Sequence, residues 1–252
     1  EGGRAGEECR GHRDPAGVRG RNRRSSVAST TLAPSQPVPE LRSLGVTEVE
    51  GEIAAARDSH ASLTAWLTGL PERDAHEPSR LPEWTVGHVL THIARNADSH
   101  RSMLAGQPQY PHGRDGRDAD IEAGASRPWP EQVADVAASS AALDTAWERH
   151  RDWSGTSMAI GGDRPTELLP LLRQREVEIH RVDLGLGYEL DDLPAGYVRR
   201  DLRLMEMLWR ARRPMGHTPL PDAALRVMPA RRLGWLMGRI EIDGLPPAGL
   251  FG

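Results

Sequence analysis

Glu176 and His180 are four residues apart, so on a helix the imidazole stacks one turn above the carboxylate on the same side. Glu176 also falls on the stripe of Leu169, Leu172 and Ile179, where a 3.6-residue period predicts core. A carboxylate in such a place is costly unless it is paired or bound to a metal. Glu178 lies about 200° further round the axis and is expected to face water. A second polar set, His88, His92 and Asn96, repeats every four residues. His92 is one turn deep between Val89 and Ile93, whereas His88 is nearer the helix start and is expected to reach solvent or cap a loop. One histidine from this helix and the Glu/His pair from the other make two nitrogens and one oxygen. Three protein ligands with an open fourth position is the pattern of catalytic zinc, and the same donors suit other divalent ions. The spacing of Glu176 and His180 alone is a weak signal. It gains weight because both helices present metal-competent groups where core is predicted.

These residues need two helices to position them, and the periodicity supplies four. After a capping-box pattern from Thr47 to Glu50, Ile53, Ala56, His60, Leu63 and Leu67 recur at spacings of three and four. That first helix ends at Pro71. The second starts near Thr85, carries Val86, Val89, Leu90, Ile93 and Ala97, and closes at Gly106. Residues 107–130 are rich in Gly, Pro, Asp and Arg and read as a long loop. A third helix follows Pro130, and a fourth runs from about Pro165 to Leu184. Four such helices predict a four-helix bundle over 46–190. A small α+β domain is expected over 191–252, with helices near 195–212 and 230–238 and strands at Leu225–Met228 and Ile240–Ile242. The fold class is therefore mainly α. His60 is expected to be a hydrogen-bonded core histidine. His100, His112, His150 and His217 have no partner spacing and read as surface. Trp84 is placed to staple the start of the second helix.

Composition narrows the function. The 252 residues are 38% apolar and 27% charged, and no run approaches the roughly 18 apolar residues of a membrane span. The net charge of -4 gives no global case for nucleic-acid binding. With one cysteine, a disulfide framework and a cysteine-rich zinc site are excluded. All 32 basic residues are arginine, a bias that points to a GC-rich bacterial genome. Residues 1–45 carry Gly, Arg, Ser and Pro without periodicity and a formal +3 against -7 for the remainder. This tail is expected to be disordered. Arg21, Arg23 and Arg24 have no apolar segment after them, so export is not expected. Val46 opens the first helix and GTG is a bacterial start codon, so 1–45 is expected to be upstream sequence outside the native protein, and Cys9 with it.

The segment from Leu81 to Asn96, LPEWTVGHVLTHIARN, resembles the signature of the mycothiol-dependent maleylpyruvate isomerase family of the DinB-like metalloenzymes. REVEIHRVDLG, from Arg175 to Gly185, resembles the family's second motif. The resemblance implies a DinB-like four-helix bundle followed by a small α+β domain. It also implies zinc ligands at His92, Glu176 and His180, the residues singled out above. Asp183 matches a position expected to orient a ligand from behind. Gly238-Arg239 resembles a Gly-Arg element whose arginine serves the substrate or thiol, and a guanidinium fork suits a dicarboxylate. The chemistry so implied is cis-trans isomerisation of maleylpyruvate to fumarylpyruvate. Mycothiol would add as thiolate, the resulting single bond would rotate, and the thiol would leave. The expected protein is a cytoplasmic, actinobacterial enzyme taking a small thiol and an electrophilic substrate, without an obligate protein partner. Two rival expectations stand beside it: a mycothiol S-transferase acting on other electrophiles, and a non-catalytic binding module stabilised by metal. The module would need a fourth protein ligand, for which Asn96 and His60 are the candidates.

Overall fold

The computed structural model describes residues 46–213 and 218–250. The expectations for residues 1–45, including Cys9, and for His217 lie outside the described residues, as does the side chain of Thr47. In chain order the elements are α1 (Val46–Gly69), α2 (Val86–Leu104), α3 (Gly113–Ala125), α4 (Trp129–Arg149), β1 (Thr156–Ser157), β2 (Arg164–Pro165), α5 (Leu169–Asp183), α6 (Ala195–Ala211), α7 (Asp222–Arg226) and α8 (Pro229–Leu236). The molecule is mainly helical, as the periodicity predicts. Helices α1, α2, α4 and α5 pack against one another as the bundle. Leu63 and Leu67 of α1 meet Val86, Val89, Leu90 and Ile93 of α2, Val136 of α4 and Val177 of α5 in one core. No helix among the described residues is long and apolar enough to cross a membrane.

Three expectations are corrected. Residues 107–130 are not all loop, because α3 forms within them and packs on α2. Its Gly and Asp content gives little propensity, so packing must hold it. Ile121 and Ala125 are its buried residues, and glycines let it approach. A Cβ at Gly87 would sit 1.8 Å from the Ala125 carbonyl oxygen, and one at Gly124 would sit 2.5 Å from Thr91 Cγ2. Gly87→Ala is therefore expected to cost about 1–3 kcal/mol of stability, seen as a lower urea midpoint. A midpoint equal to that of the parent would mean that α3 does not dock so closely.

The strands expected after residue 190 are also absent among the described residues. Pro221, Asp222 and two alanines start the short helix α7 where Leu225–Met228 was read as strand. Ile240–Ile242 is irregular, because no neighbouring segment offers it a ladder. The described sheet is the antiparallel pair β1 and β2, in the connection between α4 and α5. The third correction concerns α5. Its Ile179 and Val182 join a second core with Tyr197 and Met205 of α6 and Leu233 and Leu236 of α8. This helix is therefore buried on more than one side. Glu178, predicted to face water, is only 1% exposed and accepts hydrogen bonds from Ser59 (2.6 Å) and Tyr188 (3.0 Å).

Candidate metal centre

Thr85 caps α2, and its side chain and His88 form a reciprocal box: Thr85 Oγ1 accepts from the His88 amide, and the Thr85 amide donates to His88 Nδ1 (3.2 Å). His88 thus fixes the start of its own helix. His92, one turn later, is held between Val89 and Ile93, both fully buried. From α5, Glu176 and His180 reach toward it. His92 Nε2 lies 3.0 Å from Glu176 Oε2 and 3.0 Å from His180 Nε2, and the third edge, His180 Nε2 to Glu176 Oε2, is 3.4 Å. The two imidazoles meet edge to face, 87° apart, so both Nε2 atoms point to a common place.

These spacings fit a metal ion. Tetrahedral zinc with bonds of about 2.0–2.1 Å to nitrogen and oxygen holds its donors about 3.3 Å apart. Among the described residues, His92, Glu176 and His180 are the group of donors that converges in this way. The Glu176 side chain keeps 31% of its surface exposed, against 6% for His92 and 12% for His180, so the open side of the cluster is at the carboxylate. Burial, followed by the proximity of His180, pushes the His92 pKa down to about 4, so it is neutral at pH 7 with a lone pair to offer. Burial tends to raise the Glu176 pKa, but the two imidazoles outweigh it and keep the carboxyl well below its usual range.

Asp183, the residue that the family resemblance implies behind a ligand, lies beside His180 at the end of α5. It is buried, and its Oδ2 lies 2.9 Å from His180 Nδ1. The contact is one of charge rather than an aligned hydrogen bond, and a carboxylate so close favours the proton on Nδ1 and leaves Nε2 able to bind a cation. Burial raises the Asp183 pKa, but His180 and Arg239 together bring it below the usual value. Arg239 binds Asp183 through Nε and Nη2, each at 2.9 Å, and gives Nη1 to the Met237 carbonyl (2.8 Å). The structure therefore places Arg239 on the carboxylate behind His180.

Residues that periodicity did not reveal line the other side. Arg117 of α3 puts Nη2 3.3 Å from His92 Nδ1, with its guanidinium near the rings of Trp84 and Tyr110. Trp84 turns its ring against His92 at 5.5 Å. The signal for Arg117 was hidden because α3 itself was read as loop. Neither candidate for a fourth ligand joins the cluster: His60 and Asn96 both face Arg173.

His100 corrects another expectation, since it is 2% exposed and its Nδ1 has no hydrogen-bond partner. Burial first, then the Arg173 charge, lowers its pKa to about 3. The folded state thus refuses a proton that the unfolded chain accepts below about pH 6.5. Stability is complete above that pH and falls on acidification, by about 1.4 kcal/mol per pH unit down to the folded pKa. Urea unfolding at pH 7, 6 and 5 is expected to show a flatter pH slope for His100→Leu than for the parent. Parallel slopes would contradict the assignment.

Residues 56–185, over half of the chain, match the family model described as the mycothiol maleylpyruvate isomerase N-terminal domain. Among solved structures, this chain is similar to a mycothiol-dependent maleylpyruvate isomerase at 26% identity and a TM-score of 0.60, covering 65% of this chain and 71% of that one. A histidine-to-alanine mutant of a mycothiol-dependent maleylpyruvate isomerase has 24% identity with the same TM-score and coverage. The fold in common is the DinB-like bundle. No curated protein matches.

Proposed function

Because the chain belongs to the mycothiol maleylpyruvate isomerase N-terminal domain family, we propose that it is a zinc- and mycothiol-dependent isomerase converting maleylpyruvate to fumarylpyruvate in the cytoplasm. The observation that carries this reading is the convergence of three donors, two nitrogens and one oxygen, from α2 and α5, with no fourth protein ligand among the described residues. An ion held by His92, Glu176 and His180, zinc or another divalent metal, would lower the pKa of a thiol at its open position and supply thiolate at neutral pH.

The chain's own residues prepare that chemistry. Residues 46–252 contain no cysteine, so none of the described residues offers a thiol, and in this reading mycothiol supplies it. Asp183 sets the His180 tautomer, and Arg239 holds Asp183 by two points. In this reading Arg239 acts through Asp183 rather than as a free carboxylate clamp, because all three of its nitrogens already donate. Trp84 packs its ring against His92 at one side of the cluster. The covalent cycle is addition of the mycothiol sulfur to the activated double bond, rotation about the new single bond, and elimination, which returns the thiol unchanged.

The test is an assay of the full chain with mycothiol and maleylpyruvate, following fumarylpyruvate. Turnover that requires both mycothiol and metal is the expected result. Conjugation of mycothiol to a generic electrophile without isomerisation would instead make the protein a transferase. A metal-replete protein inactive in both assays would leave the binding module.

A further inference from the structure

The two side chains that could have completed a closed metal site are engaged by Arg173 of α5, which is fully buried three residues before Glu176. Its Nε donates to His60 Nε2 on α1 at 3.0 Å. Its Nη1 donates to the Ile93 carbonyl (2.9 Å) and to Asn96 Oδ1 (2.8 Å), both on α2. Its Nη2 reaches Ser140 Oγ on α4 at 3.4 Å. One guanidinium thus joins α5 to each of the other three bundle helices. None of the ion pairs among the described residues places a carboxylate against it. The Glu176 charge one turn on offsets part of its burial, and a second carboxylate acts through a ring: His60 Nδ1 lies 2.9 Å from Asp144 Oδ1, and the imidazole stacks on Trp147 at 5.6 Å. Asp144 so holds the proton on Nδ1 and leaves Nε2 to accept from Arg173.

Burying a cation in this way is a poor means of gaining stability, since apolar side chains of similar volume often serve as well or better. Burial lowers the Arg173 pKa to about 10, so it remains charged at neutral pH. What the arrangement supplies is register. Ile93 directly follows His92, and Arg173 stands one turn before Glu176. A metal tolerates errors of only about 0.2 Å in its donor positions, far less than a helix interface does.

We propose that Arg173 is a positioning residue for the metal centre: by bonding α2 beside His92, it sets the register of α2 against α5 that brings His92 to Glu176 and His180, while His60 and Asp144 hold its guanidinium in place. The proposal rests on the metal reading of the site. It predicts that loss of the clasp harms metal binding out of proportion to stability.

Three variants of the full chain test it: Arg173→Met, Asn96→Ala, and Leu67→Ala as a buried control in the bundle core. Cobalt(II) and zinc(II) affinities are measured by chelator competition, together with the visible spectrum of the cobalt form. Histidine ring resonances are recorded on metal-free protein. Arg173→Met is expected to weaken metal binding roughly 10- to 100-fold and to change the cobalt spectrum, as loss of supporting contacts around metal ligands does. Asn96→Ala is expected to move both readouts in the same direction by less. Leu67→Ala is expected to lose stability while keeping affinity and spectrum. In the metal-free state, the ring signals of His92 and His180 are expected to shift in the two clasp variants only. Wild-type affinity, spectrum and ring signals in folded Arg173→Met would overturn the proposal, as would an equal loss in Leu67→Ala. If Arg173→Met does not fold, Asn96→Ala decides by the same criteria. If the parent binds no metal, the functional reading fails, and the ring resonances alone decide whether the clasp sets the register.

Discussion

His180→Ala and His92→Ala are each expected to give a folded helical protein that no longer retains metal and no longer isomerises substrate. The fold is expected to survive because neither ring fills the apolar core shared by α1, α2, α4 and α5. Asp183 also keeps its two-point partner Arg239 when His180 is removed. Binding free energies of roughly 10–16 kcal/mol for four-ligand zinc sites imply about 2.5–4 kcal/mol per ligand, so removing one should weaken affinity by about two to three orders of magnitude. Elemental analysis after gel filtration, with circular dichroism as the check on folding, measures the outcome. His88→Ala is the control. His88 shares the motif and the helix face, but it caps α2 through Thr85 and reaches Glu122 at 3.1 Å. Its loss should lower stability slightly and leave metal content unchanged. Full metal content in folded His92→Ala or His180→Ala would remove the site.

The largest loss of stability is expected from Asp201→Ala. Asp201 of α6 is fully buried and accepts from Arg175 of α5, with Nε 3.0 Å from both carboxylate oxygens, and from the Tyr197 hydroxyl at 2.9 Å. Truncation strands a largely buried guanidinium, with 14% of its side chain exposed. It does so beside Arg164 of β2, whose pKa is lowered by burial and then by repulsion from Arg175. Breaking a buried pair by removing one partner costs about 3–5 kcal/mol. Urea unfolding should show that loss for Asp201→Ala. The double variant Arg175→Leu with Asp201→Leu should recover much of it, because no unpaired charge remains. A loss below about 1 kcal/mol in the single variant would show that the pair is not what joins α5 to α6.

Both results bear on how much could be read before the fold was known. The bundle helices were legible because each buries one face, and burial of one face writes a 3.6-residue period into the chain. Glu176 stood out for the same reason, as a carboxylate interrupting that period. The same rule failed at Glu178. Periodicity grants a helix one buried face, whereas α5 packs against α1, α2 and α6 together. Helix α3 was illegible because its stability comes from close approach to α2 at Gly87 and Gly124, and glycine in a sequence more often marks a break. The strands expected at Leu225–Met228 and Ile240–Ile242 had local propensity but no partner, and pairing is what makes a strand.

Local spacing determined the four bundle helices and which of their residues could bind a metal, because side chains three and four apart on one helix are neighbours whatever surrounds them. It could not determine that His92 meets Glu176, 84 residues away, or that Arg239 is tied to Asp183 across 56. Nor could it show that His60 and Asn96 serve a buried arginine instead of a metal. Those pairings depend on the rotation and axial shift of one helix against another. They are settled only when the cores close and each buried polar group has found its partner.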